Sequence, residues 1–430
     1  MTHMSNYGND RLAPYTFGAL IDFVRRYTNL QLKYADPIEM GQIYFSLFPD
    51  EKSPLWTNPC DDRRHLAIWS DSKHYLCNYV PRLLIVGPQK TGTTALHTFL
   101  KMNPLFRSSQ VSPEDFEEVQ FFNDKHYSKG TDWYMSRFAA DDMGAGKNTG
   151  TGEGMDSKSA PDQVLYFDKS ATYFDDPKVP ERASSLLPDA RIIILLIDPA
   201  DRAYSWYQHI RAHGDVVASR LTFDQLILDT SNSFKFEDSG TTAASNATTF
   251  ASSQSNSSKV DGGATLPDGN LSANAIKQLR NRCIQPGYYA QHLVNWLEHY
   301  SSRQIIIIDG QWFKYNPASV MNKLQKLLGV RDPLDYNQML AFDSKKGFYC
   351  PLDLGNESRN RTRCLGKSKG RKYEPMSEEA RHYLNRLYLG QNRQLARLLN
   401  DIGQPLPTWL DAALDSVAQL ASANDRQLSL

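Results

Sequence analysis

The sequence predicts an α/β protein built on a P-loop-like parallel sheet flanked by helices. Three observations carry this. Runs that are aliphatic throughout, at 83–87, 191–197 and 304–309, alternate with segments of helical period. Strands of that kind belong to a parallel sheet covered on both faces. The first run is followed by GPQKTGTT, a Gly-led turn with one lysine that opens a helix, which leaves backbone N–H groups and a helix N-terminus converging on one anion-sized spot.

Taken in order, residues 1–81 mix aromatic and charged residues without a sustained period and end in Cys60 and Cys77, so they are expected to be an accessory segment. A main domain is then expected over 82–415 and a tail over 416–430. Within it the pattern predicts a strand at 83–87, a helix over 93–102, a strand at 191–197, a helix over 200–212, a strand at 304–309 and a helix over 317–328. The stretches 140–160 and 232–275 are rich in Gly, Ser, Thr, Asn and Asp with little to bury, and are expected to be disordered surface insertions. No internal repeat is visible.

The 430 residues are 40% hydrophobic with a formal net charge of +0, the profile of a soluble globular chain of one large or two modest domains. The balance singles out no partner, and no nucleic acid is expected. The longest aliphatic run, 192–197, is too short to span a bilayer, and the opening MTHMSNYGND lacks the regions of a signal peptide. Among five cysteines, Cys350 and Cys364 flank a polar loop with N-glycosylation sequons at Asn356 and Asn360; further sequons stand at Asn246, Asn256 and Asn270. An oxidising lumen would suit that loop, while free thiols and chance sequons are the plain alternative. The pairing of Cys60, Cys77 and Cys283 is not legible.

Four features carry candidate chemistry. Lys90 stands three residues after Gly87, unlike the lysine of a nucleotide-triphosphate loop, and Thr91, Gly92, Thr93 and Thr94 concentrate donors in the same turn. A plain strand-to-helix connector is the alternative. In FEEVQFF the acids Glu117 and Glu118 form either a solvated pair or a proton acceptor, and in a helix they would sit about 100° apart. DRAYSWYQHIRAH reads as a helix that sets His209 and His213 on one face, without a third ligand for a metal. Seven basic residues and no acid lie between Arg359 and Lys372, a solvated loop or a polyanion contact.

LLIVGPQKTGTTALHTFL resembles the 5′-phosphosulfate loop of sulfotransferases that use 3′-phosphoadenosine 5′-phosphosulfate (PAPS), most closely the heparan sulfate N-deacetylase/N-sulfotransferases. The resemblance continues through FEEVQFFNDKHYSKGTDWYM, FDKSATYF, DPADRAYSWYQHIRAHGDVV, NRCIQPGYYAQHL, KKGFYC, CLGKSKGRKY and GQPLPTWL, in the family's order. Upstream, MTHMSNYGNDRLAPYTF and SPLWTNPCDDRRHLAIW look like the last part of a deacetylase domain and its join; most of that domain is absent, and His3 alone could not sustain its activity.

The resemblance implies that Lys90 to Thr94 hold the 5′-phosphosulfate, with Lys90 on the bridging oxygen. It assigns the general base to Glu118 and the 3′-phosphate contact to Ser205. His209 falls on the acceptor side, beside His213, and Lys169 contacts acceptor and sulfuryl. Lys369, Gly370, Arg371, Lys372 and Tyr373 fall to the nucleotide, behind a Cys350–Cys364 disulfide. Tyr349 stands where the family has a tryptophan beside the adenine, and Asp168 stands where it has a glutamate. An arginine that many sulfotransferases carry before the serine is Ile197 here, leaving Arg202 or the basic tract to supply its charge.

The expectation is therefore sulfuryl transfer from PAPS to the glucosamine amine of heparan sulfate or heparosan, without a metal, in the Golgi lumen. An O-sulfotransferase, a polyanion-binding module without catalysis and, further off, a nucleotide kinase stand as alternatives.

Overall fold

In this computed structural model the described residues are 12–32, 35–48, 79–110, 118–144, 164–228, 271–352, 364 and 373–414. The chain divides into two compact units, Met1–Leu55 and Trp56–Leu430. In the first, two helices form where no period was read: α1 (Leu12–Tyr27) and α2 (Pro37–Leu47). Asp36 caps α2 by accepting from the N–H groups of Ile38 and Glu39, both at 2.8 Å, and Pro37 fills a position whose N–H has no helical partner.

The second unit is built on five parallel strands, β1 (Leu83–Gly87), β2 (Phe106–Ser108), β3 (Leu165–Lys169), β4 (Arg191–Leu196) and β5 (Ile305–Asp309), in the order β2-β3-β1-β4-β5. Side chains alternate across each strand and both faces are dry, so the runs read as continuously aliphatic. Leu84, Val86, Ile192, Ile194, Ile305 and Ile307 feed one core; Leu83, Ile85, Ile193, Leu195, Ile306 and Ile308 feed the other. Each such burial is worth about 1.5–3 kcal/mol.

The helices of the unit follow in chain order: α3 (Thr93–Leu100), α4 (Gly130–Gly144), α5 (Val179–Leu186), α6 (Pro199–Arg211), α7 (Val216–Arg220), α8 (Phe223–Leu228), α9 (Ala273–Ile284), α10 (Tyr289–Leu297), α11 (Gly310–Tyr315), α12 (Pro317–Leu327) and α13 (Glu378–Asp401). An antiparallel pair, β6 (Leu340–Asp343) and β7 (Phe348–Pro351), stands apart from the main sheet. Helix α4 runs to Gly144, into the stretch expected to be an insertion, and α9 begins at Ala273 inside the second such stretch. Residues 145–160 and 232–270 of these stretches lie outside the described residues, as do Cys60, Cys77 and the tail.

The chain leaves β1 toward β2 and β3 on one side and returns to β4 on the other. This reversal falls at the carboxyl end of β1, the position where open α/β sheets take ligands.

Candidate active site

The turn after β1 is shaped by two glycines. Gly87 has φ 111°, and a Cβ there would meet the Ala171 carbonyl oxygen at 2.3 Å, so only glycine lets the turn lie against residue 171. Gly92 has φ 107° and precedes α3 without giving it a side-chain cap. Lys90, between them, holds φ 75°, a left-handed conformation that costs a non-glycine residue free energy and recurs where function demands it. The Thr91 hydroxyl donates to the Pro88 carbonyl at 2.8 Å, so its proton is used to hold the turn rather than aimed outward. Thr91 and Thr93 are buried and Thr94 is half-buried.

Glu118 lies in an irregular segment, not in a helix, so the helical separation from Glu117 does not apply; Glu117 itself is outside the described residues. One carboxylate oxygen of Glu118 is 3.1 Å from Lys169 Nζ, and the other accepts from the Ala171 N–H at 3.1 Å. Ala171 thus joins two predicted groups, touching Gly87 at the start of the turn and holding Glu118. Further bonds tie this loop to β1: Ser170 N–H to Ile85 O at 3.1 Å and Phe174 N–H to Val86 O at 2.9 Å. Lys169 is only 2% exposed, so its ammonium is turned inward onto Glu118.

His97, on α3, went unnoticed in the sequence. Its ring packs edge-on to Phe167 at 5.5 Å, and burial, then the charges of Lys169 and Lys101, push its pKa down from 6.5 to about 3. A neutral imidazole therefore stands near Lys169 at physiological pH.

A second group sits on α6. Asp198 caps this helix, accepting from Ala200 N–H at 2.8 Å, and Arg381 of α13 pairs with Asp201 and lies 3.8 Å from Asp198. Ser205 and His209 are half-buried on α6, with the His209 ring 5.4 Å from Trp206 and 4.3 Å from the exposed His213. Nδ1 of His213 is 2.7 Å from the His209 carbonyl. Tyr373, the residue after the basic tract, packs edge-on to Tyr204 of the helix that carries Ser205 at 5.5 Å; Lys369, Gly370, Arg371 and Lys372 lie outside the described residues. Arg202 does not supply the charge considered for it. It is buried at 1% exposure and donates to the Cys283 carbonyl inside the helical layer.

Tyr349, on β7, packs edge-on to Phe342 at 5.4 Å and against the core that includes Phe99 and Phe313. Its neighbour Cys350 is disulfide-bonded to Cys364, closing the loop that carries the first part of the basic tract. Asp343, Cys350 and Cys364 cluster, but the disulfide leaves no thiolate there to bind a metal.

Residues 80–398 match the family described as Sulfotransferase domain. The chain belongs to that family. It is 46% identical over 95% of its length to the bifunctional heparan sulfate N-deacetylase/N-sulfotransferase of Drosophila melanogaster, covering 34% of that protein. It is 46% identical over 95% of its length to the N-deacetylase/N-sulfotransferase 2 of Bos taurus, covering 39%, and 45% identical over 95% to the human N-deacetylase/N-sulfotransferase 1, covering 40%. This sulfotransferase chain therefore spans between a third and two fifths of the length of these relatives. No helix among its described residues is long and apolar enough to cross a membrane.

Proposed function

We propose that this sulfotransferase moves a sulfuryl group from PAPS to the free amino group of glucosamine in heparan sulfate or its unsulfated precursor. The observation that carries the reading is the joint at Ala171, which holds the Glu118 carboxylate beside the first residue of the anion turn. The amine nitrogen attacks sulfur as the bond from sulfur to the 5′-phosphate oxygen breaks, the proton from nitrogen passes to Glu118, and adenosine 3′,5′-bisphosphate leaves. Negative charge grows on the departing oxygen, where the Lys90 ammonium and the N-terminal end of α3 stabilise it more than they stabilise the bound donor. Each Glu118 oxygen already accepts one hydrogen bond and keeps a lone pair for the incoming proton.

Ser205 and Tyr373, brought to one helix, support a site for the far end of the nucleotide, with Lys369 to Lys372 beside it. His209 is assigned to the acceptor side, with His213 at its exposed edge. Lys169 acts in this reading by holding Glu118 and, through it, the acceptor. Because the acceptor is a polyanion and the chain has no net charge, the groove must be cationic locally, through the Arg359 to Lys372 tract. The Golgi lumen is the compartment we assign, and the Cys350–Cys364 bond fits an oxidising one.

The test is product identity. After incubation with PAPS and N-desulfated heparan, enzymatic depolymerisation should release disaccharides carrying N-sulfoglucosamine. Disaccharides sulfated only on oxygen would replace this reading by an O-sulfotransferase, and unmodified disaccharides would favour a polyanion-binding module.

A further inference from the structure

The segment that carries Glu118 belongs to no helix or strand, yet its backbone is held residue by residue. The Val119 carbonyl faces Nδ1 of the buried His126 at 2.7 Å. The Gln120 N–H donates to Ser170 Oγ at 3.0 Å. The Phe121 and Phe122 N–H groups both reach the Tyr173 hydroxyl oxygen, at 2.7 and 3.3 Å. Gln120 has φ 49°, a left-handed conformation that a glutamine holds only when its surroundings over-determine it.

Two of these acceptors answer to one group. Ser170 donates to Asp168 Oδ1 at 2.9 Å, Tyr173 donates to Oδ2 at 2.9 Å, and Tyr134 of α4 donates to the same Oδ2 at 3.1 Å. Asp168, Ser170 and Tyr173 have no exposed surface. A hydroxyl whose proton is committed to a carboxylate can only accept from its other side, so the orientation of both hydroxyls toward residues 120–122 follows from the charge state of residue 168. Alternation along β3 sends Lys169 and Asp168 to opposite faces of the sheet. The end of this strand therefore grips Glu118 directly from one face and through two hydroxyls from the other.

We propose that Asp168 is a positioning residue for sulfuryl transfer: its carboxylate fixes the Ser170 and Tyr173 hydroxyls as acceptors for the backbone of residues 120–122, and thereby sets Glu118 against Lys169 and Ala171. The inference rests on the reading of Glu118 as the base. An amide at 168 would offer an NH2 donor to hydroxyls that already donate there. One hydroxyl would then have to reverse, and its proton would confront the N–H of Gln120 or Phe121.

The experiment compares the full chain with Asp168→Asn, with Ser170→Ala and Tyr173→Phe singly and together, and with the triple variant, measuring kcat on N-desulfated heparan, the dissociation constant for adenosine 3′,5′-bisphosphate, and its binding stoichiometry. Asp168→Asn should lower kcat about 100-fold, the scale of a base misplaced by an ångström, while full stoichiometry and donor-product affinity persist. Each single hydroxyl variant should lower kcat about tenfold, and the triple variant should lose little beyond Asp168→Asn, because groups acting in series are not additive. Retention of wild-type kcat by Asp168→Asn, losses that multiply in the triple variant, or a fall in kcat matched by a fall in binding stoichiometry would each overturn the proposal. If Asp168→Asn does not fold, unchanged kcat in both single hydroxyl variants overturns it equally. A wild-type chain that transfers nothing to amines removes the reading of Glu118 and this inference with it; an active wild type with an unaffected Asp168→Asn removes this inference alone.

Discussion

Lys169 Nζ lies 3.1 Å from a carboxylate oxygen of Glu118, and the lysine side chain is 2% exposed against 17% for the glutamate. The pair faces the site from its glutamate side. Replacing one partner leaves the other without compensation in a poorly solvated place, whereas replacing both does not. Glu118→Gln is therefore expected to lower transfer at least 100-fold and stability by about 3 kcal/mol. Adding Lys169→Met should restore much of the stability and none of the activity. Denaturant titration and initial rates on the two variants separate these effects.

Lys90 is asked only to stabilise charge on the leaving oxygen. Lys90→Ala should cost transfer about 100- to 1,000-fold, the range of a lost electrostatic stabiliser, with the thermal midpoint nearly unchanged. A large fall in the midpoint would instead make Lys90 part of the framework of the turn.

Gly87 carries the closest approach in the site. A methyl group there would stand 2.3 Å from the Ala171 carbonyl oxygen, at a φ that disfavours alanine as well. Gly87→Ala should destabilise the fold by more than about 2 kcal/mol, and any folded fraction should be inactive because the turn and Glu118 part at Ala171. Calorimetry and rate measurement on the same preparation test both halves.

The Cys350–Cys364 bond closes a loop with a sequence separation of 14. In the chain-entropy account its removal costs about 3 kcal/mol. Replacing both cysteines by serine should lower the thermal midpoint and weaken donor binding more than it lowers kcat, since the basic tract and not Glu118 depends on this closure.

A half-buried histidine and a buried aspartate give stability opposite slopes with pH. His97 is held neutral when folded, its pKa pushed from 6.5 to about 3, so the unfolded chain takes up the extra proton and this contribution is lost as pH falls below about 6.5. Asp168 is raised from 3.8 to about 6, chiefly by burial, so its folded form keeps a proton that the unfolded chain has released and its contribution declines as pH rises from 3.8 to about 6. Acidifying from pH 7 to 5 should cost up to about 2 kcal/mol through His97, offset in part by Asp168. His97→Gln should flatten that slope in pH-dependent unfolding.

Much of the fold was legible because β1, β4 and β5 are aliphatic on both faces: they occur at Leu83–Gly87, Arg191–Leu196 and Ile305–Asp309, within a residue of the expected ends. The helices expected after them begin at Thr93, Pro199 and Pro317, close to expectation; the last two are announced by the local signals Asp198–Pro199 and Asn316–Pro317, whereas α11, directly after β5, was not read. Strand β3 was missed for the opposite reason. LYFDK ends in two charged residues that a strand-period reading takes as a loop, yet Asp168 and Lys169 are buried through partners far away in sequence, Tyr134 and Glu118 among them. The site residues were named by resemblance, which identified Glu118 and Lys169 separately. Their pairing and the joint at Ala171 arise from contacts with a segment some fifty positions earlier, and the network under Asp168 reaches that same segment through Ser170 and Tyr173, so no local pattern encodes them.

The most direct measurement compares initial rates of transfer from labelled PAPS to N-desulfated and to fully N-sulfated heparan, with Lys90→Ala and Glu118→Gln alongside. Label should pass to the N-desulfated polymer alone, and both variants should slow its transfer at least about 100-fold. Equal labelling of the two polymers, or transfer by Glu118→Gln at the wild-type rate, would contradict amine sulfation by the group assembled around Lys90 and Glu118.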